Sequence, residues 1–429
     1  MAPLAEDAGE CDVAAALDTW MRHEAAVLHT RLIRRFGWSQ AELAADAVQD
    51  ALLRAVENWP FKGVPDQPGA WLYTVAANRM RDALRGAAER RAVPLDETLA
   101  REVSLDDGQP VAGRGELSDP ELEVLFALSH PAIGARPAIA LALQVLCGFS
   151  VREIESALLM NGDAVAQTLS RAKKTLRGIP EASVIPAGDA LRERLAVALD
   201  VLALLFNEGF EPSAGEQAMR ADLCAEAVRL ADAVASHPIT AGPESRSLAA
   251  LLNLLFARVP ARLAQPSAVT LLPDQDRSRW SQTHLRRGLA LLAASASGER
   301  VSRYHLLAGI AAAHAVAPSL DDTDWAAVIA GYRLLIELED SPVHRLNLAV
   351  ALHRAGDNMA AESELARLGH LPHMDRYFWF HVTRAEIAAD RGDAARSRAA
   401  LTSALNQART PAQRAFVRQR LTVSEVLRG

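Results

Sequence analysis

Apolar positions along the chain recur every three or four residues, the period of a helix that turns one face to a core. Leu72, Ala76, Met80 and Leu84 form one such stripe, and Val165, Leu169, Ala172 and Leu176 form another. Ala and Leu dominate, and aromatic residues make up only 5% of the chain, so the expected fold class is all-α. Proline and glycine punctuate the pattern. In the segment 12–91 the loop from Pro60 to Gly69 joins two long helices, and 92–118, rich in Gly, Asp and Pro without a sustained period, reads as a linker. A second module, 119–180, opens at Ser118-Asp119-Pro120-Glu121, a capping residue ahead of a first-turn proline, and closes near Gly178-Ile179-Pro180. Beyond Pro186 helical patterning runs through 186–429, with loops around Pro212, from Pro238 to Pro243 and from Pro260 to Pro273. Within that tail, near 343–405, Asn347 to Leu365 and Thr383 to Leu401 match at one offset, pairing Gly356-Asp357 with Gly392-Asp393 and Leu365 with Leu401. That offset lies close to the ~34 residues of a tetratricopeptide unit, whose helix pairs bury their faces by stacking on neighbours.

The composition narrows the function classes. A chain of 429 residues predicts two or three domains. Its net charge of -7 is not that of a free-standing DNA-binding protein, so any DNA contact must come from local patches or from within a larger complex. Cys11, Cys147 and Cys224 form no Cys-x-x-Cys pair, which fits a reducing cytoplasm and suggests neither a disulfide framework nor a thiolate metal site. The most apolar run, Leu195 to Phe206, contains Asp200 and is too short to cross a bilayer, so no membrane is expected. No His-Glu-x-x-His spacing, phosphate-cradling glycine loop or Gly-x-Ser-x-Gly elbow is present, and we assign no metal, cofactor or enzymatic activity.

Three stretches carry candidate chemistry. Ser39-Gln40-Ala41-Glu42 reads as a capping box opening a helix that presents Glu42, Asp46, Gln49, Asp50 and Glu57 on one side, an acidic stripe that wants water or a basic partner. After the Pro/Gly loop, Asn78, Arg79, Arg81, Asp82 and Arg85 lie away from the apolar stripe of the next helix. Cations and amides beside Trp71 and Tyr73 suit capture of single-stranded DNA, although Trp71 itself reads as core. In the second module, Ser150 and Glu153 make a capping box, Asn161-Gly162 forms a tight turn, and Asp163 can cap a further helix, which together spell a helix-turn-helix. Outward on its last helix are Gln167, Thr168, Arg171, Lys174 and Arg177. The early positions are placed for base edges, and Arg171, Lys173, Lys174 and Arg177 for phosphates. The competing reading is a solvated basic helix end that complements its own dipole. In the tail, Asn207, Glu208, Asp274, Asp276, Arg277 and Trp280 either converge on a pocket or serve as internal caps and salt bridges.

These residues resemble a family, the extracytoplasmic-function sigma factors of the sigma-70 class. Asp46-x-x-Gln49-Asp50, the Trp71-Leu72 helix start and Asn78-x-x-x-Asp82-x-x-Arg85 look like its region two, and Ser150 to Arg177 looks like its region four. Departures fall at Ala45, Gly86, Asn161-Gly162 and Thr168. The tail resembles the subgroup with a long tetratricopeptide-like helical extension, through Phe206-Asn207-Glu208-Gly209-Phe210, Asp274-Gln275-Asp276-Arg277-Ser278-Arg279-Trp280 and Asp322-Thr323-Asp324-Trp325. The resemblance implies a non-enzymatic factor with core RNA polymerase and promoter DNA as partners. Asp46, Gln49 and Asp50 would meet polymerase. Asn78, Arg79, Arg81, Asp82 and Arg85 would meet the minus-ten element, and Gln167, Thr168, Arg171, Lys173, Lys174 and Arg177 the minus-thirty-five element. The tail would regulate it, through an intramolecular contact with the two modules or a protein partner on the helical repeats. A one-component helix-turn-helix regulator with a ligand-sensing tail and a helical-repeat scaffold stand as alternatives.

Overall fold

A computed structural model of the chain describes residues 24–91, 120–178, 188–212, 218–263 and 270–426, apart from positions 26, 34, 159, 299 and 372. The linker expected at 92–118, the cap at Ser118-Asp119, and Pro180 and Pro186 lie outside the described residues. Every element among the described residues is helical and none is a strand, so the expected all-α class holds. The chain divides into two compact units, Met1–Val201 and Leu202–Gly429.

In the first unit, helical residues within 24–36 lead through a 3-10 turn, Trp38–Gln40, into α1 (Ala41–Lys62) and α2 (Pro68–Arg91). The capping box expected at Ser39 is absent. Ser39 lies inside the 3-10 turn, and the amide of Ala41 is satisfied by the Trp38 carbonyl rather than by a side chain. Ala44, Ala47, Ala51 and Ala55 line the buried face of α1 and leave room for Leu72, Ala76 and Met80 of α2, all fully buried. The reversal between the helices is made at Gly63, whose φ of 81° belongs to the left-handed region that L side chains avoid.

The second module begins with α3 (Pro120–Leu128), in which Leu125, Phe126 and Leu128 are fully buried. It continues through α4 (Ala135–Cys147), α5 (Val151–Leu158) and α6 (Gly162–Arg177). Gly148, at φ 65°, ends α4 in the left-handed conformation and turns the chain into α5. On α6 the inward stripe is Val165, Leu169, Ala172 and Leu176, all buried, as the spacing predicts. Its cap differs from expectation. Asn161, two residues earlier, accepts from the Asp163 amide, and Asp163 sits inside the first turn, where its charge suits the helix dipole. The helix α7 (Gly188–Phe210) crosses the division between the units, and in its first half Arg194 is buried and donates to the Phe126 carbonyl at 3.1 Å.

The second unit continues with α8 (Ala221–Ser236), α9 (Pro243–Phe256) and the single turn α10 (Val259–Arg262). Two 3-10 turns, Leu272–Asp274 and Arg277–Arg279, then lead into α11 (Gln282–Ser295), α12 (Arg303–Val316) and α13 (Trp325–Leu338). The central helix α9 buries residues on every side, and its Asn253 is satisfied by Asp232 at 3.1 Å and His284 at 2.9 Å.

The chain ends in α14 (Pro342–Arg354), α15 (Asn358–Gly369), α16 (Phe378–Asp390), α17 (Ala394–Gln407) and α18 (Pro411–Val426). The sequence repeat reappears as two matching helix hairpins, α14/α15 and α16/α17. Gly356 and Gly392 take φ values of 86° and 76°, and the next residues, Asp357 and Asp393, each accept from the amide three residues on, at 3.1 and 2.9 Å. Among the described residues no helix is long and apolar enough to cross a membrane, and no cluster of metal-ligating side chains occurs.

Candidate nucleic-acid interface

The helix α1 presents a mixed outer face. Glu42, Asp46 and Gln49 are exposed, Asp50 is half-buried, and Leu53 and Val56 continue the same face at 61% and 59% exposure. The two apolar residues escape the sequence reading, which sorted α1 into acidic and apolar sides; their spacing of four and three from Gln49 was the available signal. An exposed patch that joins carboxylates to aliphatic side chains suits a protein partner better than water alone.

On α2, Asn78, Arg79, Asp82 and Arg85 are exposed and Arg81 is half-buried. Arg79 pairs with Asp50 of α1 at 2.7 Å, and Arg81 donates to the Asn78 carbonyl oxygen. Asp82 and Arg85 form no ion pair among the described residues. At the loop end of the hairpin, Asn58, Trp59, Lys62, Pro65 and Trp71 line a pocket of about 240 Å³, with the two indole rings 5.7 Å apart and tilted by 59°. Trp71 thus packs against Trp59, yet its half-buried ring also forms a wall of this pocket. Flat walls beside a lysine and an amide can take an unstacked base.

The basic residues of α6 divide into two groups. Gln167, Arg171 and Lys174 are exposed and Thr168 is half-buried on the outer side of the helix-turn-helix, with Arg171 and Lys174 in no ion pair among the described residues. Lys173 and Arg177 instead turn toward α1. Arg177 pairs with Glu42 at 2.7 Å, and burial, partly offset by Glu42, holds Lys173 below the ordinary lysine range. The half-buried His29, whose Nε2 lies 3.0 Å from the Ala41 carbonyl, is likewise held low by loss of solvent, with Lys173 adding repulsion.

The six polar residues marked in the tail do not gather. Asn207 is exposed and Glu208 buried, Asp274 pairs with Arg420 at 3.0 Å, and Asp276 accepts from Ser278. Among the described residues Arg277 and Trp280 meet, with the guanidinium 4.6 Å from the indole centroid. A separate groove of about 670 Å³ runs between α15, α16 and α17, lined by Leu365, Phe380, Arg384, Arg391 and Arg396. Arg391 pairs with Glu362, while Arg384 and Arg396 have no carboxylate partner among the described residues.

Residues 21–90 match the family model for sigma-70 region 2, which covers the α1–α2 hairpin and its exposed faces. Sigma-70 region 2 implies binding to core RNA polymerase and promoter DNA, a role in transcription initiation. Residues 194–296 match a family of unknown function, DUF6596. Over 386 residues the chain is 36% identical to an uncharacterized protein of Rhizobium meliloti (strain 1021), covering 89% of each chain, and it belongs to that protein's family. No solved structure matches it.

Proposed function

We propose that the protein is an alternative sigma factor of the extracytoplasmic-function type, with a fused helical domain that regulates it. The observation that carries this reading is the α1–α2 hairpin. It lies within the match to sigma-70 region 2 and sets an acidic and aliphatic face, Asp46, Gln49, Asp50, Leu53 and Val56, beside a face bearing Asn78, Arg79, Arg81, Asp82 and Arg85. The first face docks on core polymerase. The second, with the Trp59–Trp71 pocket, holds the melted minus-ten strand through phosphates and an unstacked base. In the second module α6 is the recognition helix, and Gln167, Thr168, Arg171 and Lys174 meet the minus-thirty-five element in the major groove. Lys173 and Arg177 join them once the contact with Glu42 opens.

The tetratricopeptide-like hairpins α14–α17 form the regulatory surface, and their groove, whose Arg384 and Arg396 have no carboxylate partner among the described residues, suits an anionic segment of a protein partner. On this reading the chain is non-enzymatic and acts in the cytoplasm. Run-off transcription with core polymerase tests it, using the full chain, its Arg171→Ala/Lys174→Ala variant and a chain ending at Val201. Promoter-specific transcripts that vanish in the double variant support the reading. Their absence from both the full and the shortened chain, with folded protein, overturns it, and equal output from those two chains removes the regulatory role of the tail.

A further inference from the structure

The second unit holds an alternating stack of cations and rings that the transcription reading does not use. Arg258 and Arg262 stand four residues apart at the two ends of the single turn α10, so both project from one side of it. The Arg262 guanidinium lies 4.0 Å from the Phe210 centroid. That of Arg258 lies 5.8 Å from Phe210 and 5.9 Å from Trp280, and that of Arg277 lies 4.6 Å from Trp280. Each outer arginine is anchored to the main chain: Arg262 donates to the Phe210 carbonyl at 3.2 Å, and Arg277 donates to the His314 and Ala317 carbonyls, both at 2.7 Å.

The charges do not balance. Glu211 faces Arg262 and Asp322 faces Arg277, whereas among the described residues no carboxylate faces Arg258, whose neighbours are Arg262, Arg277 and the Tyr332 hydroxyl. Among the described residues its one side-chain hydrogen bond runs from Nε to Gln275 Oε1 at 3.1 Å, and Gln275 itself donates to the Thr270 carbonyl, so there both terminal nitrogens of Arg258 are uncommitted. A guanidinium recessed among other cations is costly unless an anion answers it, and cation–π contact offsets only part of that cost. Arg258 as a residue is half-buried rather than fully enclosed, so solvent reaches the position. Nearby, the Arg277 Nη2, Trp280 Nε1 and His314 Nδ1 atoms are buried without a hydrogen-bond partner.

We propose that Arg258, flanked by Arg262, Arg277, Phe210 and Trp280, is the centre of a binding site for a phosphate-type oxyanion, free or carried on a small molecule. The uncommitted edge of Arg258 supplies the paired N–H donors that a tetrahedral oxyanion accepts, Arg262 and Arg277 supply field, and the rings exclude water from the charges. In agreement with this geometry, burial and the two neighbouring guanidiniums push Arg258 down to about 9, a penalty that a bound anion relieves.

The inference is independent of polymerase and promoter binding, and its test uses neither. Full-length protein is titrated calorimetrically with inorganic phosphate and, separately, with phenyl phosphate, against chloride at equal ionic strength. Saturable binding of one equivalent, weakened at least tenfold by Arg258→Gln and unchanged by Arg192→Gln on the exposed first half of α7, supports the site. Preference for phenyl phosphate identifies a carried group stacked on the rings, and equal affinity identifies the free ion. Thermal melting of the unsubstituted chain gives a second reading should Arg258→Gln not fold, since phosphate must then raise the melting temperature more than chloride does. No saturable heat and no phosphate-specific rise, or binding that survives Arg258→Gln intact, overturns the proposal.

Discussion

The same substitution, glycine to alanine inside a helix, should act in opposite directions at Gly209 and Gly309. At Gly209 a Cβ would lie 2.8 Å from the Cys224 Sγ, 2.9 Å from the Arg220 carbonyl oxygen and 2.9 Å from the Cys224 nitrogen. Two of these three are backbone atoms at the start of α8, where the Arg220 amide also donates to the Gly209 carbonyl at 2.7 Å, so they cannot swing aside as a flexible side chain would. Overpacking of this kind costs about 1–3 kcal/mol, and two backbone clashes place it toward the upper end; the gain in helix propensity returns up to about 1 kcal/mol. The net loss is about 1–2 kcal/mol, a fall of roughly 2–8 °C in melting temperature for a unit of this size. Gly309 on α12 has nothing within 4 Å of the same position, so Gly309→Ala gains up to about 1 kcal/mol and melts roughly 2–4 °C higher. Calorimetric scans of the full chain and both variants decide it. A Gly209→Ala protein as stable as the parent, or shifts of the same sign at both sites, would refute the packing argument. Because Gly209 precedes Phe210, its variant should also weaken phosphate binding where Gly309→Ala does not.

Three further outcomes follow from other parts of the molecule. Leu169→Ala removes a side chain buried at 4% exposure from the helix-turn-helix and should cost about 2–5 kcal/mol with loss of promoter-specific output, read by urea melts and run-off transcription; a cost below about 1 kcal/mol contradicts the core assignment. The Glu42–Arg177 pair is substantially exposed, at 70% and 38%, so a double-mutant cycle with Glu42→Gln and Arg177→Gln should give a salt-sensitive coupling below about 1 kcal/mol; a coupling above about 2 kcal/mol, insensitive to salt, contradicts it. His314 is held down to about 4 by burial and by Arg258 and Arg277, so the unfolded chain takes up this proton first as pH falls. The stability linked to it is present above about 6.5 and is lost between about 6.5 and 4, up to about 3 kcal/mol. Denaturant melts of wild type and His314→Gln over that range should show the gap between them change in this direction, and a constant gap rules the linkage out.

What the sequence made legible was local. The stripe Val165, Leu169, Ala172 and Leu176 is buried as its spacing predicts, and of the stripe Leu72, Ala76, Met80 and Leu84 the first three are buried and Leu84 half-buried, because helical periodicity is a property of neighbouring residues. The paired Gly-Asp turns at 356–357 and 392–393 are legible for the same reason, since each needs only a left-handed glycine followed by a capping carboxylate. What stayed hidden depends on rotation by one residue or on distant packing. Lys173 and Lys174 are adjacent, yet a step of about 100° around the helix turns one toward α1 and leaves the other exposed. Arg277 and Trp280 were marked, but Phe210, Arg258 and Arg262 were not, because residues tens of positions apart meet only when α7, α10 and the 3-10 turns pack. Ser39 misled because a capping motif works only if the chain is still extended there, and Trp38–Gln40 is already turned.

The pairing of opposite charges in the first unit bears on how an acidic chain could grip DNA. Of the cations in the proposed DNA-facing sets, Arg79 is held by Asp50 and Arg177 by Glu42, and both acids stand on the α1 helix that the reading assigns to polymerase. Arg85, Arg171 and Lys174 are exposed and in no ion pair among the described residues. Three phosphate contacts give a salt slope of only about -2.7, so binding by the free chain is weak and falls roughly 40-fold between 50 and 200 mM salt. On the proposed reading, polymerase draws Asp50 and Glu42 onto its own basic surface, and each withdrawal frees an arginine for phosphate. Both pairs are exposed, so each exchange costs no more than about 1 kcal/mol, which a polymerase contact readily offsets. Promoter affinity and its salt dependence should therefore steepen together when core polymerase is bound, toward the slope of about five contacts. Glu42→Gln with Asp50→Asn should bring part of that gain to the free chain while weakening its hold on polymerase.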